Sequence, residues 1–453
     1  MCIRDRYGVY AEFVRRVTVA YDSRHKSMHT CYGSKRAICV EPSLAQRVLR
    51  QMVDTYAGIT LITKTKVMAV SKSKETVTGV QTDTGRHLKS HVVIDASEYG
   101  DVLPLADATY RIGNGTSAEP PADTACVQDF TYTAVIRRYP NGTPSNLIVK
   151  KPPPGYTPKL AAGFATAVAA NGLDLQPGYP SPWNWTAFIS YRGMPDSANK
   201  KPYNPDTDGG RGITRSSINH QANDRSVSVK FIEDPVFRAK TICEAKLMTL
   251  RFLYYLQHDL GHTDWSIAND EGYDKLGNVK ARHCPLLKGY EAIEKFFPLE
   301  PYVRESRRLV GVETLTGRDI YRNGSQAART FPNSVAVGYF PVDLHRCREQ
   351  ENFEAGLDSA ADITGSAGPF EIPIGTLIQT NVDGLLAAEK NISASRIAAS
   401  AIRLQPIAFA VGQAAGALAS LAADQHAAPR AVAGDEVRAA LKASDVQIDS
   451  DRE

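Results

Sequence analysis

The stretch LQPIAFAVGQAAGALASLAA, residues 404–423, contains no charged residue and is long enough to cross a bilayer as a helix. Its composition argues against a membrane span, because Ala and Gly dominate and few of the Leu, Ile and Phe residues that drive insertion are present. Two glutamines interrupt the run, and its proline stands where the first turn of a helix tolerates one. We therefore predict a buried helix of a soluble protein, whose small residues allow close packing against a sheet.

Composition and charge are those of an ordinary globular protein. The chain has 453 residues, 43% of them hydrophobic and 23% charged, which is enough for two or three domains. The net charge of +4 is small, and no stretch forms a basic block, so nucleic acid is not indicated as a partner. Seven scattered cysteines without a CxxC pair argue against a complete disulfide framework, an iron–sulfur cluster or a zinc site. Cys31 and Cys39, the nearest pair, are interpreted as thiols, and no metal site is predicted.

The rest of the chain alternates between helical and extended patterns. Residues 41–57 carry an apolar stripe at helical spacing, with Ser43 in position to cap the helix. Several β-branched stretches follow, and the most apolar of them, VVIDAS at 92–97, predicts a buried strand. Residues 114–210 are rich in Pro, Gly, Asn and Thr, which predicts a separate region of antiparallel sheet with long loops. A long helix is predicted over 239–260.

One strand is followed by residues suited to proton transfer. In SVAVGYFPVDLH, residues 334–345, Asp343 and His345 are i, i+2 neighbours and would share one face of an extended chain. Histidine is the side chain best suited to proton transfer near neutral pH. A single histidine in a loop is more often structural, so both interpretations stay open.

Arginines are dense in YVRESRRLVG, residues 302–311, directly before an apolar strand. There Arg304 and Arg307 either bind an anionic group or form buried ion pairs between domains, and the two interpretations are equally favoured. The polar loop 215–226 offers further side chains that can line a substrate site, although such a loop is more often merely polar. These side chains are Asn219, His220, Asn223 and Asp224.

Four stretches occur in a characteristic order: VIDASEYGD…LADATYRIG, RESRRLVG, SVAVGYFPVDLH and GLLAAEKNIS…RLQP…GQAAG. Together they resemble the family of FAD-dependent oxidoreductases with a glutathione-reductase-type flavin domain, and the match covers nearly the whole chain. The resemblance implies FAD as the cofactor. It also implies an α/β fold, in which a Rossmann-like FAD/NAD(P)-binding domain is split by an inserted β-rich (α+β) substrate domain. Some relatives carry the label xanthan lyase.

The resemblance assigns cofactor contacts to two groups of residues. At the end of the 92–97 strand they are Asp95, Ala96, Ser97 and Asp101. In the C-terminal flavin motif they are Asn391, Ser393, Gln405, Pro406, Gly412, Gln413 and Gly416. The predicted helix in that motif would direct unpaired N–H groups and a positive dipole end at an electron-rich flavin edge.

The resemblance also divides the chain into four parts. Residues 1–113 would form part of the FAD-binding domain, and 114–330 the β-rich substrate domain that contains the long helix. Residues 331–425 would return to the FAD-binding domain, and 426–453 would form a C-terminal helix or tail.

The beginning of the chain departs from the pattern of such flavoproteins. They start with a strand, a GxGxxG turn and a helix, a unit of roughly 30 residues that binds the ADP pyrophosphate. No such unit precedes Tyr7, and GNGTSAE at 113–119 follows no strand of the right type. The opening MCIRDR resembles translated sequencing adapter. We therefore expect an N-terminally truncated fragment with weakened FAD binding.

The predicted function is that of a flavoenzyme acting on an unidentified small molecule, with carbohydrate-related compounds among the candidates. Asp343 and His345 are the candidate proton-transfer residues, and Arg304 and Arg307 are the candidate groups that position substrate or domains. The oligomeric state stays open. The cytoplasm is the default compartment, and export stays possible because the true N-terminus is expected to be missing.

The alternative is a non-catalytic carbohydrate-binding or scaffold protein, in which Trp183, Trp185 and Tyr191 stack on sugars. A yellow protein with flavin absorbance would favour the enzyme, and a colourless protein that retains glycan would favour the binder. A polysaccharide lyase would need acid and base groups along a groove, and the sequence identifies none.

Overall fold

The computed structural model of the protein describes residues 7–21, 28–32, 37–170, 185–198, 212–272, 284–321, 328–347 and 368–450. Helices and strands alternate along these segments, which gives the mixed α/β architecture that the sequence predicts.

The helices and strands are numbered here in chain order. The helices are α1 (Gly8–Ala20), α2 (Pro42–Asp54), α3 (Val102–Leu105), α4 (Pro158–Ala170), α5 (Trp185–Tyr191), α6 (Lys230–Glu233), α7 (Pro235–His258), α8 (Glu291–Glu294), α9 (Gly317–Ile320), α10 (Arg396–Ile402), α11 (Gln405–Asp424) and α12 (Gly434–Ala443). The strands are β1 (Val67–Ser73), β2 (Thr76–Thr82), β3 (His87–Lys89), β4 (Val93–Asp95), β5 (Tyr110–Ile112), β6 (Gly115–Thr116), β7 (Cys126–Thr131), β8 (Ala134–Arg138), β9 (Arg215–Ile218), β10 (Asp224–Ser228), β11 (Trp265–Ile267), β12 (Arg308–Leu309), β13 (Ser334–Gly338), β14 (Phe370–Pro373) and β15 (Leu385–Ala387).

The strands form several small sheets. Antiparallel pairing gives the orders β1-β2-β3, β11-β8-β9 and β12-β5-β6, and it also joins β10 to β7 and β13 to β14. β15 and β4 are parallel, with Leu385 opposite Val93 and Ala387 opposite Asp95. Because parallel strands end at the same edge, the loops that follow β4 and β15 lie side by side.

Two large hydrophobic cores hold most of these elements together, and a small third cluster packs α1 against α2. One core contains side chains such as Phe130 and Phe252 from the middle of the chain, between 99 and 303. The other core contains side chains such as Phe370 and Leu385, and it draws on residues from both before and after that middle segment. Chain segments distant in sequence therefore share a core, and the middle segment packs largely around its own.

Buried ion pairs join the two cores. The carboxylate of Glu305 lies 3.5 Å from Arg308 and 3.4 Å from Arg396, and all three side chains are almost completely buried. Arg308 also donates to the backbone carbonyls of Gly113 and Ala394 at 2.9 and 2.8 Å. A buried triad of this kind costs desolvation energy, so it favours one arrangement of the two cores more than it adds stability.

The uncharged run forms the predicted helix, α11, with Pro406 in its first turn. It packs against β13, β15, α1, α12 and the short turn Glu389–Asn391. Its buried face includes Ile407, Ala415 and Leu418. By length and composition α11 would also meet the requirements of a membrane span, which by itself is weak evidence for one. α11 contacts β15, the strand that pairs with β4 from the 92–97 stretch.

Cysteine pairing corrects the interpretation of the cysteines as thiols. Disulfides join Cys31 to Cys39, Cys126 to Cys347 and Cys243 to Cys284. The seventh residue, Cys2, lies outside the described residues. The odd total concealed the pairing, and two of the three bridges link positions 41 and 221 residues apart, a separation from which sequence spacing cannot identify partners.

Several local predictions also differ from the structure. Ser43 does not cap α2, because its amide and hydroxyl both bond to the carboxylate of Glu271 at 2.9 and 2.8 Å. The predicted helix at 239–260 begins earlier, at Pro235, because Asp234 caps it by accepting bonds from the amides of Val236 and Phe237. The middle region contains helices α4 and α5 in addition to the predicted antiparallel strands.

Candidate functional site

An Asp–His–Asp chain of contacts lies after β13. Nδ1 of His345 is 2.9 Å from Oδ2 of Asp224, and Nε2 is 3.4 Å from Oδ1 of Asp343. Asp224 is buried and His345 largely so, whereas 45% of the Asp343 side chain is exposed. Solvent therefore reaches the site on the Asp343 side, and the histidine ring is anchored on the Asp224 side.

The loop carrying His345 is held by its neighbours in the middle segment. The backbone carbonyl of His345 accepts from the amide of Asp129 at 3.2 Å, and the backbone amide donates to Oε1 of Gln128 at 3.4 Å. Arg346 has a φ of 60°, an uncommon conformation for a residue other than glycine. Cys347 follows at once and is bonded to Cys126. Such over-determination of a strained loop is typical of positions that must present a side chain accurately.

Two arginines neutralise the carboxylates of this chain. Nη2 of Arg304 lies 3.3 Å from Oδ1 of Asp224, and Nη2 of Arg403 lies 2.8 Å from Oδ2 of Asp343. Arg304 and Arg403 are almost completely buried. Arg403 also donates to the hydroxyl of Tyr302. The structure therefore brings the predicted residues Asp343, His345 and Arg304 together, and it adds Asp224 from the polar loop.

The surroundings shift the pKa values of this group in opposite directions. Burial lowers the pKa of His345, but its hydrogen bonds to Asp224 and Asp343 outweigh burial, so the pKa lies above its ordinary value. Burial raises the pKa of both carboxyls, but bonds from His345 and the nearby arginines outweigh it, so both pKa values lie below their ordinary value. The group therefore favours a protonated imidazole between two carboxylates.

Arg307 lies apart from this group. Its Nη1 is 3.0 Å from Oδ1 of Asp101, and its Nε is 3.6 Å from Glu233. It also donates to the backbone carbonyls of Tyr99 and Ile232. The contacts of Arg307 thus join the loop after β4 to the middle segment.

The residues predicted to face a cofactor after β4 are mostly bound to the protein itself. The carboxylate of Asp95 accepts from the hydroxyl and amide of Ser97 and from the amides of Val102 and Leu103. Asp95 therefore satisfies the first amides of α3, although Asp101 is the residue that precedes the helix. The hydroxyl of Ser97 accepts from the amide of Asp101 at 2.7 Å. Ala96 is exposed beside this turn.

The polar residues after β15 form a buried network. Asn391 accepts from the hydroxyl of Ser306 at 2.6 Å and donates to the carbonyl of Ser97 at 2.7 Å. The hydroxyl of Ser393 lies 2.8 Å from that of Thr314. Both Asn391 and Ser393 are completely buried. Asn391 therefore holds the loops at the ends of β4 and β15 together, and Ser393 joins the second loop to the segment after β12.

The predicted cofactor residues of α11 fall on two faces. Pro406 is buried, and Gln413 accepts from the amide of Val9 at 3.0 Å. Gln405 is exposed. Gly412 and Gly416 are also exposed, and an added Cβ at either would have no heavy atom within 4 Å. Close packing against a sheet is therefore not the reason for these two glycines.

The aromatic side chains proposed to stack on sugars have protein neighbours. The ring of Trp185 stacks on that of His262, with centroids 3.6 Å apart. Tyr191 packs edge-on against Tyr32, with centroids 5.2 Å apart. Trp183 lies outside the described residues. A sugar would therefore have to displace existing contacts at Trp185 and Tyr191.

Sequence reasoning did not assign a role to three side chains at the site. Arg403 directly precedes the uncharged run, and the sequence assigns no role to it, to Arg192 or to Tyr302. The position of Arg403 before an apolar helix is by itself no signal, because the positive dipole end of a helix N-terminus favours anions and not cations. Nothing local distinguished the other two, since their neighbours in space are distant in sequence.

Comparison with known proteins agrees with the motif order. No curated protein and no solved structure matches the chain. The family model described as FAD dependent oxidoreductase matches residues 4–441, nearly the whole chain. FAD is the cofactor that this family implies. The chain therefore belongs to the family of FAD-dependent oxidoreductases.

Proposed function

We propose that the chain is a redox enzyme that acts on a small molecule and uses His345 for proton transfer. The observation that carries this proposal is the Asp224–His345–Asp343 chain at the beginning of α11, where Arg403 bonds to Asp343. Bound FAD supplies a ring that accepts or donates an electron pair. Many such transfers also move a proton, which a positioned histidine can hold.

The residues present fit a flavin ring at the beginning of α11. The residue before this helix, Leu404, makes no side-chain capping bond, so the first amides depend on other partners. Nε of Arg403 is buried and has no hydrogen-bond partner among the described residues. A helix N-terminus and a guanidinium together favour an electron-rich group. We infer that these groups face the flavin.

The pyrophosphate end of FAD has weaker support. Gly113 and Gly115 belong to the β5–β6 hairpin, with Arg111 opposite Thr116, and do not form a glycine-rich turn before a helix. The described residues contain no strand–GxGxxG–helix unit. We therefore propose that the described residues hold the flavin ring of FAD more than its ADP half.

The geometry around His345 supports a role as a proton donor. Its Nδ1 is anchored by Asp224, whereas the contact of Nε2 with Asp343 is longer, at 3.4 Å. A substrate atom can replace that weak contact from the exposed side. Because both carboxylates favour the protonated ring, we propose that His345 presents a proton at Nε2, and that Asp343 and Arg403 position the substrate.

The proposed domain arrangement follows the two cores. The middle core, between 99 and 303, would belong to a substrate domain, and the other core would belong to a Rossmann-like domain. The site joins them, since Asp224 comes from the first and His345 from the loop after β13. A substrate bound between the domains would then contact both.

The test begins with FAD binding. We expect the chain to bind FAD and to show flavin absorbance. Arg403→Gln should weaken FAD binding about tenfold, because it removes one charged contact. Arg238→Gln is the control, because Arg238 also lies beside a tyrosine ring but has Asp101 and Glu300, not Asp343, as its neighbouring carboxylates. No flavin binding by the wild-type chain would exclude the proposal.

The second step tests His345. Candidate electron donors are screened under anaerobic conditions, with bleaching of bound flavin as the readout. With a donor in hand, His345→Gln should slow bleaching by roughly 10²–10⁴-fold and leave FAD affinity unchanged. Equal rates in the variant and the wild type would exclude proton transfer by His345.

The binding-protein alternative has less support. Its candidate rings, Trp185 and Tyr191, already pack on protein side chains. Retention of a glycan by a colourless preparation would favour it over the enzyme.

A further inference from the structure

Arg192 lies beside the proposed site in an unusual setting. Its guanidinium carbon is 5.0 Å from the ring centroid of Tyr32 and 4.4 Å from that of Tyr191. The guanidinium donates to the hydroxyl of Tyr32. At 3.4 Å it also donates to the hydroxyl of Tyr191 and to the backbone carbonyl of Asn219. Among the described residues, no carboxylate lies within ion-pair distance of Arg192.

The position of Arg192 is supported from two sides. The amide of Tyr32 donates to the carbonyl of Tyr191 at 3.1 Å, and the hydroxyl of Thr30 donates to the carbonyl of Gly193 at 3.0 Å. Tyr32 itself has a φ of 58° and follows Cys31, which is bonded to Cys39. The disulfide-closed loop therefore holds one aromatic wall against the arginine in a strained backbone conformation.

Arg192 is also close enough to the Asp–His–Asp group to interact with it electrostatically. It interacts with Asp343, Arg304 and Arg403, and Tyr191 interacts with the same carboxylate. Burial lowers the pKa of Arg192 to about 10, which means that desolvation of its charge is only partly compensated. A partly desolvated guanidinium is stabilised by a bound anion more than a fully solvated guanidinium is.

Charges at the site do not balance. Three guanidinium groups, those of Arg192, Arg304 and Arg403, meet two carboxylates, those of Asp224 and Asp343. A protonated His345 would add a second excess positive charge.

The neighbouring pair of Arg346 and Asp129, 3.3 Å apart, contributes no net charge. The excess positive charge therefore stays at the site, on the side where Arg192 and the half-exposed Asp343 lie.

We propose that Arg192 binds a carboxylate of the substrate, so that the enzyme acts on an organic acid. A guanidinium fork matches the two oxygens of a carboxylate, and the flanking rings of Tyr32 and Tyr191 keep the fork in one plane. That the anion is a substrate rests on the proposed function. The anion site itself depends only on Arg192. An anionic group of bound cofactor has the same chemistry and is the competing source of the charge.

The experiment uses sodium acetate as the probe. Melting temperature is measured for the full chain at increasing acetate, with sodium chloride keeping the ionic strength constant. We expect acetate to raise the melting temperature of the wild type, and Arg192→Gln to weaken its apparent affinity about tenfold or more. Arg192→Lys should retain part of the effect, because it keeps the charge but loses the fork.

Arg238→Gln is the matched control. Arg238 also lies over a tyrosine ring, 3.7 Å from the centroid of Tyr99, and its pKa is likewise lowered by burial. Its response to acetate should equal that of the wild type. An equal response of Arg192→Gln, or no acetate effect in the wild type, would overturn the proposal.

Repeating the titration with saturating FAD separates the two sources. If acetate still stabilises the FAD-bound protein, the site belongs to a substrate. If FAD abolishes the acetate effect, the anion comes from the cofactor and the organic-acid proposal fails. Should the chain not bind FAD, the FAD-free titration still tests Arg192, so failure of the proposed function is distinguished from failure of the anion site.

Discussion

His345 and Asp224 stand 121 residues apart in sequence, yet Nδ1 of the histidine lies 2.9 Å from Oδ2 of the aspartate. The contact joins the loop after β13 to the beginning of β10. It anchors one nitrogen of the ring and leaves the other directed at the half-exposed Asp343.

Asp224→Asn should lower the pKa of His345, because the buried carboxylate is one of the two groups that raise it. It should also cost about 1–3 kcal/mol of the free energy of unfolding, since buried Arg304 loses its charged partner. The pKa is measured by NMR of the histidine ring, and stability by urea unfolding. A histidine pKa equal to that of the wild type would contradict the prediction.

Stability should depend on pH through His345. Since its folded pKa is raised, its contribution is complete below the unfolded pKa of about 6.5 and is lost as pH rises through the folded pKa. Asp224 and Asp343 have lowered pKa values, so their contributions are lost only as pH falls well below this window. The difference in unfolding free energy between wild type and His345→Gln should therefore shrink with rising pH, and a constant difference would count against the assignment.

The bridge between Cys126 and Cys347 should position His345. Replacing both cysteines by serine should cost roughly 2–5 kcal/mol of unfolding free energy and move the pKa of His345 towards its ordinary value. The same replacement at Cys243 and Cys284 should also cost stability but leave the histidine titration unchanged, because that bridge lies elsewhere. Identical histidine titrations in both variants would rule out the positioning role.

Gly100 should not tolerate a side chain. Its φ is +65°, and an added Cβ would lie 2.8 Å from the carbonyl oxygen of Arg307. Gly100→Ala should cost about 1–3 kcal/mol of unfolding free energy. Gly58→Ala is the control, since nothing lies within 4 Å of its added Cβ and no positive φ opposes it. Equal unfolding curves for the two variants would show that the turn after β4 is adaptable.

Helix α11 shows what local pattern can predict. A run of twenty residues without charge, with a proline near its beginning, is enough to predict a helix and its start, because periodicity and chain-end chemistry act within a few residues. The same pattern did not reveal which face is buried. The pattern indicates that Gly412 and Gly416 pack closely against a sheet, but both lie on the exposed face of the helix. Which face of a helix is buried depends on the elements that pack against it.

The aspartate and histidine of the loop after β13 show the same division at the site. Asp343 and His345 were recognised as a pair because they are two residues apart and follow a strand. Their outer partners, Asp224 and Arg403, come from other elements, and Arg192 has no local feature that separates it from any other arginine. Charge compensation is a property of groups close in space, so no spacing rule could identify these partners.

The amino-acid order was sufficient for the family, its cofactor and the residues of one loop, because motif order and short-range spacing are written directly in the chain. Folding was required for the disulfides, the Asp224–His345 contact and the excess positive charge around Arg192. Each of these depends on segments distant in sequence coming within a few ångström, where burial strengthens the interaction between charges.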